Sequence, residues 1–214
     1  MKNKIVDFFK KFQSYSFIIF LALIVVAFFI IVQLNRSGDE DLEPVDTQPT
    51  NNSGDQIDLG DEIFKLPLDV DSPQIARNYY DSNASYEEQI DAIIQVGNSY
   101  HINTGINYTI DKETDFEVLA SLTGTVTKVS QDALKGYIVE IEHLYGIKTE
   151  YSSLQDVNVT IGDEVEQGDV LGIAGSNNYD QDSGIHVNFK VIQGGFKLNP
   201  NELIGTKISQ FEDE

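Results

Sequence analysis

An unbroken apolar run near the amino terminus constrains this chain more than any other feature. The run covers residues 17–32 without a polar side chain, and its flanks extend it to residues 15–34. About twenty apolar residues are enough to cross the hydrocarbon core of a bilayer as a helix. Four lysines precede the run, so the positive-inside bias places residues 1–14 in the cytoplasm and the remainder of the chain outside. We therefore expect a single, uncleaved N-terminal transmembrane helix.

Charge is divided unevenly between the two sides of this run. Residues 1–36 carry a net charge of +4, whereas residues 37–214 carry −25. Such an acidic bulk argues against nucleic-acid binding, because phosphate backbones require a basic surface. The 214 residues include no cysteine. Disulfides, thiolate nucleophiles and thiolate metal sites are therefore excluded, and we expect no cofactor.

Two segments separate the membrane from the folded part of the chain. Residues 35–71 contain 11 acidic side chains, three prolines and few large apolar residues, which predicts an extended, flexible tether. Within it, only residues 63–68 offer enough apolar surface to pack onto a domain. Residues 72–97 then show two helix starts. Ser72 precedes a proline, which predicts a short helix over 73–80, and Ser85 with Glu88 forms a capping box that predicts a helix through Val96.

From about residue 98 the chain reads as short strands separated by turn residues. The runs with strand character are 116–120, 124–130, 137–143, 147–152, 170–174 and 186–193. They predict a mainly β fold, an antiparallel domain over residues 98–206, followed by an acidic tail at 207–214. Four glycines between Gly162 and Gly175 are interpreted as turn and close-packing positions, because no helix follows them to form a phosphate site.

The order of motifs in this domain resembles the LytM, or M23, family of zinc endopeptidases. The motifs are TGIN (104–107), ASLTGTV (120–126), GYIVEIEH (136–143), YSSL (151–154), GDEVEQGDVLGIAG (162–175) and GIHVNFKV (184–191). Active members of that family present His-x-x-x-Asp, a Tyr-x-His-Leu segment and His-x-His. The resemblance implies an antiparallel LytM/M23-type β domain with a zinc-binding groove.

The matched positions depart from the family's ligand set. Asn103, Asn107 and Asn188 stand where the three zinc ligands would be. Ser153 replaces the histidine of the Tyr-x-His-Leu segment, and His186 is retained at the first position of the last motif. A catalytic zinc needs three good protein ligands, and a neutral amide oxygen is a weak one. We therefore expect a pseudo-peptidase with no metal site and no catalytic residues, in which Ser153 and His186 are vestigial.

Other candidate groups are given structural interpretations. Using His101 as a ligand in place of Asn103 would need a two-residue shift, which displaces a side chain by about 6–7 Å in an extended segment. His143 ends a predicted strand and is interpreted as structural. The Asp180–Asp182 spacing lacks the glycine and distal glutamate of a calcium loop and is interpreted as a solvated turn.

Taken with the anchor, the tether and the lead-in segment, the whole chain resembles a family of sporulation proteins that carry a degenerate domain of this kind. That resemblance implies a forespore-membrane protein whose domain faces the intermembrane space. It implies binding to a stage III sporulation protein AH-like membrane protein of the mother cell, in support of engulfment and of a channel, with a possible homo-oligomeric ring. The alternative is a degenerate LytM regulator of cell-wall amidases, or a peptidoglycan-binding protein. A third is an active M23 zinc endopeptidase.

Overall fold

The computed structural model describes residues 59–70 and 72–212. The helices and strands are β1 (Gln74–Arg77), α1 (Tyr86–Asp91), β2 (Ile93–Val96), β3 (Ser99–Ile102), β4 (Ile106–Lys112), β5 (Glu117–Leu119), β6 (Gly124–Asp132), β7 (Gly136–Glu142), β8 (Lys148–Val157), β9 (Glu164–Val165), β10 (Val170–Ala174), β11 (Ile185–Gln193), β12 (Phe196–Leu198) and α2 (Pro200–Leu203). Four short 3-10 helices lie at Leu59–Asp61, Leu144–Gly146, Gln181–Ser183 and Ile208–Phe211.

The fold is mainly β, as the spacing of the apolar runs predicts. The main sheet has the order β1-β4-β11-β8-β7-β6-β9, with β12 added to β11 and β10 joined to both β5 and β8. Each of these pairings is antiparallel. Strands β2 and β3 form a separate two-stranded sheet. The central strands β4, β11 and β8 carry the residues that the motifs single out, so the sheet determines where the site lies.

All six predicted strand runs are strands in the structure. The run at 170–174 coincides with β10, and the others differ from β5, β6, β7, β8 and β11 by up to five residues at their ends. Strand β4 was not predicted, although it carries Asn107. The predicted transmembrane helix and residues 35–58 of the predicted tether lie outside the described residues. Within residues 59–70 and 72–212, no helix is long and apolar enough to cross a membrane.

The segment predicted as the first lead-in helix is a strand, so that prediction is wrong. β1 pairs with β4, where Gln74 lies opposite Thr109 and Ile75 lies opposite Tyr108. A Ser-Pro helix start is worth only about 1 kcal/mol, and tertiary context routinely overrides local propensity. Here the free edge of β4 supplies backbone partners for the segment. As a consequence, Arg77 at the end of β1 is brought next to the site.

The second lead-in helix is present but shorter than predicted. The capping box is confirmed, because the Ser85 hydroxyl accepts a hydrogen bond from the Glu88 backbone N–H and the Glu88 carboxylate accepts one from the Ser85 N–H. Helix α1 nevertheless ends at Asp91. The β-branched Ile93 and Ile94 that follow it pair with β3 instead of continuing the helical face.

Both ends of the described region pack into the domain. Phe64, inside the predicted tether, is 1% exposed, and its ring contacts that of Phe211 edge-on at 6.3 Å between centroids. The backbone N–H of Phe64 donates to the Thr206 carbonyl, and the Gly205 N–H donates to the Phe64 carbonyl. Ile208, in the predicted acidic tail, is 1% exposed. The folded unit therefore begins before residue 63 and extends past residue 207. Both ends differ from the predicted boundaries, which placed residues 35–71 in a flexible tether and ended the domain at residue 206.

Glycines allow two close backbone approaches near the centre of the fold. A Cβ at Gly172 would lie 2.2 Å from the Asp156 carbonyl oxygen, and one at Gly175 would lie 2.8 Å from the Gln155 Cβ. Strand β10 can approach β8 this closely only because neither position carries a side chain. The interpretation of these glycines as packing positions is confirmed.

Candidate functional site

Three asparagines meet at the centre of the candidate site. Asn107 on β4 and Asn188 on β11 lie opposite each other in the strand register, and Asn103 lies just before β4. The Asn188 side-chain amide donates to Asn103 Oδ1 at 3.0 Å and to Asn107 Oδ1 at 2.5 Å. All three side chains are buried. The structure thus brings together the three positions that the sequence identifies as replaced zinc ligands.

An ion pair outside the predicted motifs fixes this cluster. The Arg77 guanidinium donates to both carboxylate oxygens of Asp180, with Nε–Oδ2 at 2.6 Å and Nη2–Oδ1 at 2.9 Å. Asp180 in turn accepts from the Asn107 amide at 2.8 Å and from the Ser183 hydroxyl at 2.7 Å. Arg77 also donates to the carbonyls of the residues at 91 and 93. One side chain therefore ties the lead-in segment to the asparagine cluster.

The prediction of a solvated turn at Asp180–Asp182 is wrong for Asp180. Its side chain is 3% exposed, whereas that of Asp182 is 93% exposed. Burial pushes the pKa of the Asp180 carboxyl up, but the hydrogen bonds from Arg77 and Ser183 outweigh that effect and hold the pKa below its usual value. Asp180 is therefore ionised and compensated at neutral pH. No local spacing reveals this, because the partner lies 103 residues away.

Ser153 and His186, the two positions predicted to be vestigial, lie next to the asparagines and both contact Asn177. The Ser153 hydroxyl donates to the Gly175 carbonyl at 2.9 Å and accepts from the Asn177 amide at 2.9 Å. His186 Nδ1 lies 2.8 Å from the Gly184 carbonyl, and its Nε2 lies 3.5 Å from Asn177 Nδ2. Burial lowers the pKa of His186, so the imidazole is neutral at pH 7. The polar atoms of both side chains therefore contact neighbouring groups of the protein.

The histidines set aside by the sequence analysis lie away from the cluster centre. His101 is exposed on β3, and its ring lies at a tilted angle to that of Tyr179, with 5.7 Å between the ring centroids. His143 is buried at the end of β7, where Nδ1 lies 2.9 Å from the Thr123 carbonyl and Nε2 lies 2.8 Å from the Thr149 hydroxyl. Among the described residues, no side-chain hydrogen bond joins either histidine to an asparagine of the cluster, in agreement with the structural interpretation of both.

The asparagine cluster forms the floor of a narrow pocket. The water-accessible space in it is about 30 Å³, enough for one or two water-sized groups. Ile94 and Ile102 from the β2–β3 hairpin form part of its wall, together with Lys135 and Tyr179. The hairpin therefore narrows the groove from the side of the lead-in segment.

The residues present do not fit a zinc ion of the kind that the M23 resemblance implies. The ionised Asp180 carboxylate can only accept hydrogen bonds. The Asn107 side chain must therefore direct its N–H groups toward that carboxylate and its oxygen toward Asn188. Asn188 then presents N–H groups, rather than a lone pair, to the centre of the cluster. In the part of the chain that the structure describes, no group of three His, Asp or Glu side chains could hold a metal ion.

Sequence reasoning missed three contributors to this site. Arg77 lies on a segment predicted to be helical, and Asn177 and Lys135 lie in loops without a recognisable motif. The pairing of β1 with β4 is the only signal that would have placed Arg77 here. It depends on sheet topology rather than on local pattern.

Comparison with known proteins identifies the scaffold. Residues 101–200 match Peptidase family M23. A zinc-containing peptidase from Vibrio cholerae has the same fold, with a TM-score of 0.51, 21% identity and coverage of 65% of this chain and 39% of that one. The fold is therefore of the M23 peptidase type, and the matched residues include the three asparagines of the cluster.

Two further relatives extend the match to the rest of the chain. Stage II sporulation protein Q of Bacillus subtilis (strain 168) is 31% identical over 98% of this chain and 77% of its own length. The structure of the SpoIIQ–SpoIIIAH pore forming complex contains a chain that is 36% identical, with a TM-score of 0.69 and coverage of 72% of this chain and 98% of that one. The chain belongs to the stage II sporulation protein Q family.

Proposed function

We propose that this chain is a non-catalytic, membrane-anchored binding protein of sporulation. Its domain would bind a stage III sporulation protein AH-like partner across the space between forespore and mother cell, in support of engulfment and of a channel. The observation that carries the non-catalytic part is the asparagine cluster, in which the Asn188 amide donates to the side-chain oxygens of Asn103 and Asn107. The family relationship carries the biological setting.

Two properties of the site argue against peptide hydrolysis. A metal-bound water becomes a nucleophile at neutral pH because the metal lowers the pKa of that water. Three asparagine amides that already hydrogen-bond within the cluster do not provide ligands for such a metal. One of the two proton-handling positions is Ser153, whose hydroxyl donates to the Gly175 carbonyl. Without a metal to hold a water, His186 would have no nucleophile to deprotonate.

The partner is inferred from the solved complexes of relatives. Two of them contain SpoIIQ together with SpoIIIAH, and their SpoIIQ-like chains match 72% and 66% of this chain at 36% and 37% identity. Binding of this kind needs a surface rather than a reactive group. Exposed strand edges are one such surface, because their unpaired backbone groups accept a partner strand. This mode agrees with a domain that keeps its sheet and has lost its metal ligands.

The proposed topology follows from the charge distribution. Lysines before residues 15–34 place the amino terminus in the cytoplasm, and the acidic residues 35–58 would hold the domain away from the membrane. Fully extended, the 24 residues of 35–58 reach at most about 79–86 Å, and contact with a protein of a second membrane would have to lie within that reach.

The test is the position of an amino-terminal fluorescent fusion of the full chain in the native host. Under the proposal, signal appears only in sporulating cells and concentrates along the engulfing membrane. The matched control is a fusion of residues 1–58, which keeps the predicted anchor and lacks the domain. It should spread evenly over the forespore membrane, because it has no partner-binding surface.

Two results would overturn the proposal. Signal at mid-cell division sites of growing cells would favour a regulator of cell-wall amidases. Identical distributions of the full chain and of residues 1–58 would mean that the domain does not bind a localised partner. Stoichiometric zinc binding with peptide hydrolysis by the purified chain would separately refute its non-catalytic part.

A further inference from the structure

One strand of the domain lies entirely at the surface. All four residues of β3 are exposed, and no other strand in the described part of the chain is exposed along its whole length. Its two large apolar side chains, Tyr100 and Ile102, are 69% and 53% exposed. Strand β3 therefore presents apolar side chains to solvent at alternate positions, the spacing with which one strand contacts another.

The hydrogen bonds of the β2–β3 hairpin leave the outer edge of β3 unpaired. Asn103, directly after β3, donates its N–H to the Ala92 carbonyl at 2.9 Å. Hydrogen-bonded and non-bonded pairs alternate along an antiparallel ladder, so the register places Tyr100 and Ile102 in non-bonded pairs. Their N–H and C=O groups point away from β2. Within the described residues, these four groups have no hydrogen-bond partner.

The opposite edge of the hairpin is already occupied. Arg77 donates to the Ile93 carbonyl at 2.6 Å and to the Asp91 carbonyl, just before β2, at 2.9 Å. A hairpin of two strands is only marginally stable by itself, and a third strand would add both hydrogen bonds and apolar contacts. The side of β3 is the one on which such a strand can be added.

Strand β3 also lacks the charges that protect the other edges. Natural sheets discourage unwanted pairing by placing charged side chains on their edge strands. The strands at the edges of the main sheet, and β6 where it extends beyond β9, each carry at least one, namely Arg77 on β1, Glu117 on β5, Lys128 on β6, Glu164 on β9 and Lys197 on β12. Strand β3 has the sequence Ser-Tyr-His-Ile, without an aspartate, glutamate, lysine or arginine. Its edge is therefore both unpaired and unprotected.

We propose that the outer edge of β3 is the surface on which the domain accepts an extended strand of its binding partner. The added strand would pair with the backbone of Tyr100 and Ile102, and its apolar side chains would contact theirs. The charge of −25 on residues 37–214 favours a neutral or basic partner over a second copy of this chain, because two such domains repel each other. This inference rests on the proposed function, since it identifies where on the domain that partner binds.

The test measures binding of the full chain to the stage III sporulation protein AH-like protein of the same host, both in a neutral detergent. Hydrogen exchange of backbone amides is followed by NMR in the free and in the bound chain. We expect the amides of Tyr100 and Ile102 to exchange rapidly in the free chain and to become protected in the complex, because each would donate to the added strand. The amides of residues 128–132 in β6 should be unchanged.

Two variants test the same edge. Tyr100→Pro removes an outward N–H without removing a hydrogen bond of the hairpin, and it should weaken binding about tenfold. Ile102→Lys keeps its N–H but places a charge on the edge, and it should also weaken binding. The matched control is Tyr86→Pro, the same replacement at an exposed tyrosine in the first position of α1, where proline is tolerated. It should bind like the natural chain.

The outcomes separate this inference from the proposed function. Absence of binding by the natural chain would refute the proposed function and this inference with it. Binding without protection of Tyr100 and Ile102, or binding that both β3 variants retain in full, would refute the inference alone. Equal thermal unfolding of Tyr100→Pro and the natural chain shows that weaker binding does not reflect a damaged domain.

Discussion

Replacing Phe64 with alanine tests whether the end of the predicted tether belongs to the core. The Phe64 side chain is 1% exposed and contacts Phe211 edge-on. Truncation of a buried phenylalanine costs about 3–5 kcal/mol, of which about 0.5–1.5 kcal/mol reflects the aromatic pair. In a unit of this size, a loss of about 3–5 kcal/mol lowers the melting temperature by roughly 6–20 °C.

The assay is urea unfolding of residues 55–214, followed by circular dichroism. The matched control is Ile63→Ala, one position earlier, because Ile63 is 44% exposed and its loss should cost about 1 kcal/mol or less. The double variant of Phe64 and Phe211 should show a coupling energy of about 0.5–1.5 kcal/mol. If Phe64→Ala costs no more than Ile63→Ala, residues 59–70 do not contribute to the core and the reasoning fails.

Three further predictions concern the interior of the domain. Burial lowers the pKa of His143 from 6.5 to about 4, so the unfolding free energy should fall by about 3 kcal/mol as the pH drops from 6.5 toward 4. His143→Gln should remove that decrease, as measured by unfolding titrations at several pH values. Arg77→Lys keeps the positive charge but loses the bidentate hydrogen bonds to the Asp180 carboxylate. It should lower the unfolding free energy by about 1–3 kcal/mol in denaturant titrations. Gly172→Ala should lower the yield of folded protein on gel filtration, because the new Cβ would lie 2.2 Å from a carbonyl oxygen. The control is Gly146→Ala, where the new Cβ has open space around it and the variant should lose only about 1 kcal/mol through the strain of its positive φ.

The alternation of apolar residues was enough to predict most of the sheet but not the central strand β4 or the edge strand β1. Strand β10 coincides with its predicted run, since a buried strand bounded by turn residues has a strong local signal. Strand β1 has none. Its residues carry a helix-start signal and become a strand because β4 has a free edge beside them. Secondary structure induced by a distant partner cannot be read from a local pattern.

The same distinction holds at the site. The three asparagines were predicted to converge because the order of motifs resembles that of M23 peptidases, and the structure brings them into hydrogen-bonding contact. The Asp180–Arg77 pair carries no such signal. Its two members lie 103 residues apart, and one of them lies outside the matched residues 101–200. Sequence reasoning therefore predicted which asparagines converge but not the groups that stabilise them.

The asparagine cluster and the lead-in segment are structurally connected. Asn107 donates to a buried carboxylate, and a buried carboxylate without a counter-charge would cost several kcal/mol. Arg77 supplies that charge from β1, outside the region that matches M23 peptidases. It also donates to the backbone at Asp91 and Ile93, between α1 and β2. The lead-in segment thus provides the cation that stabilises a polar site built from amides, and the narrow pocket beneath the β2–β3 hairpin is a consequence of that arrangement.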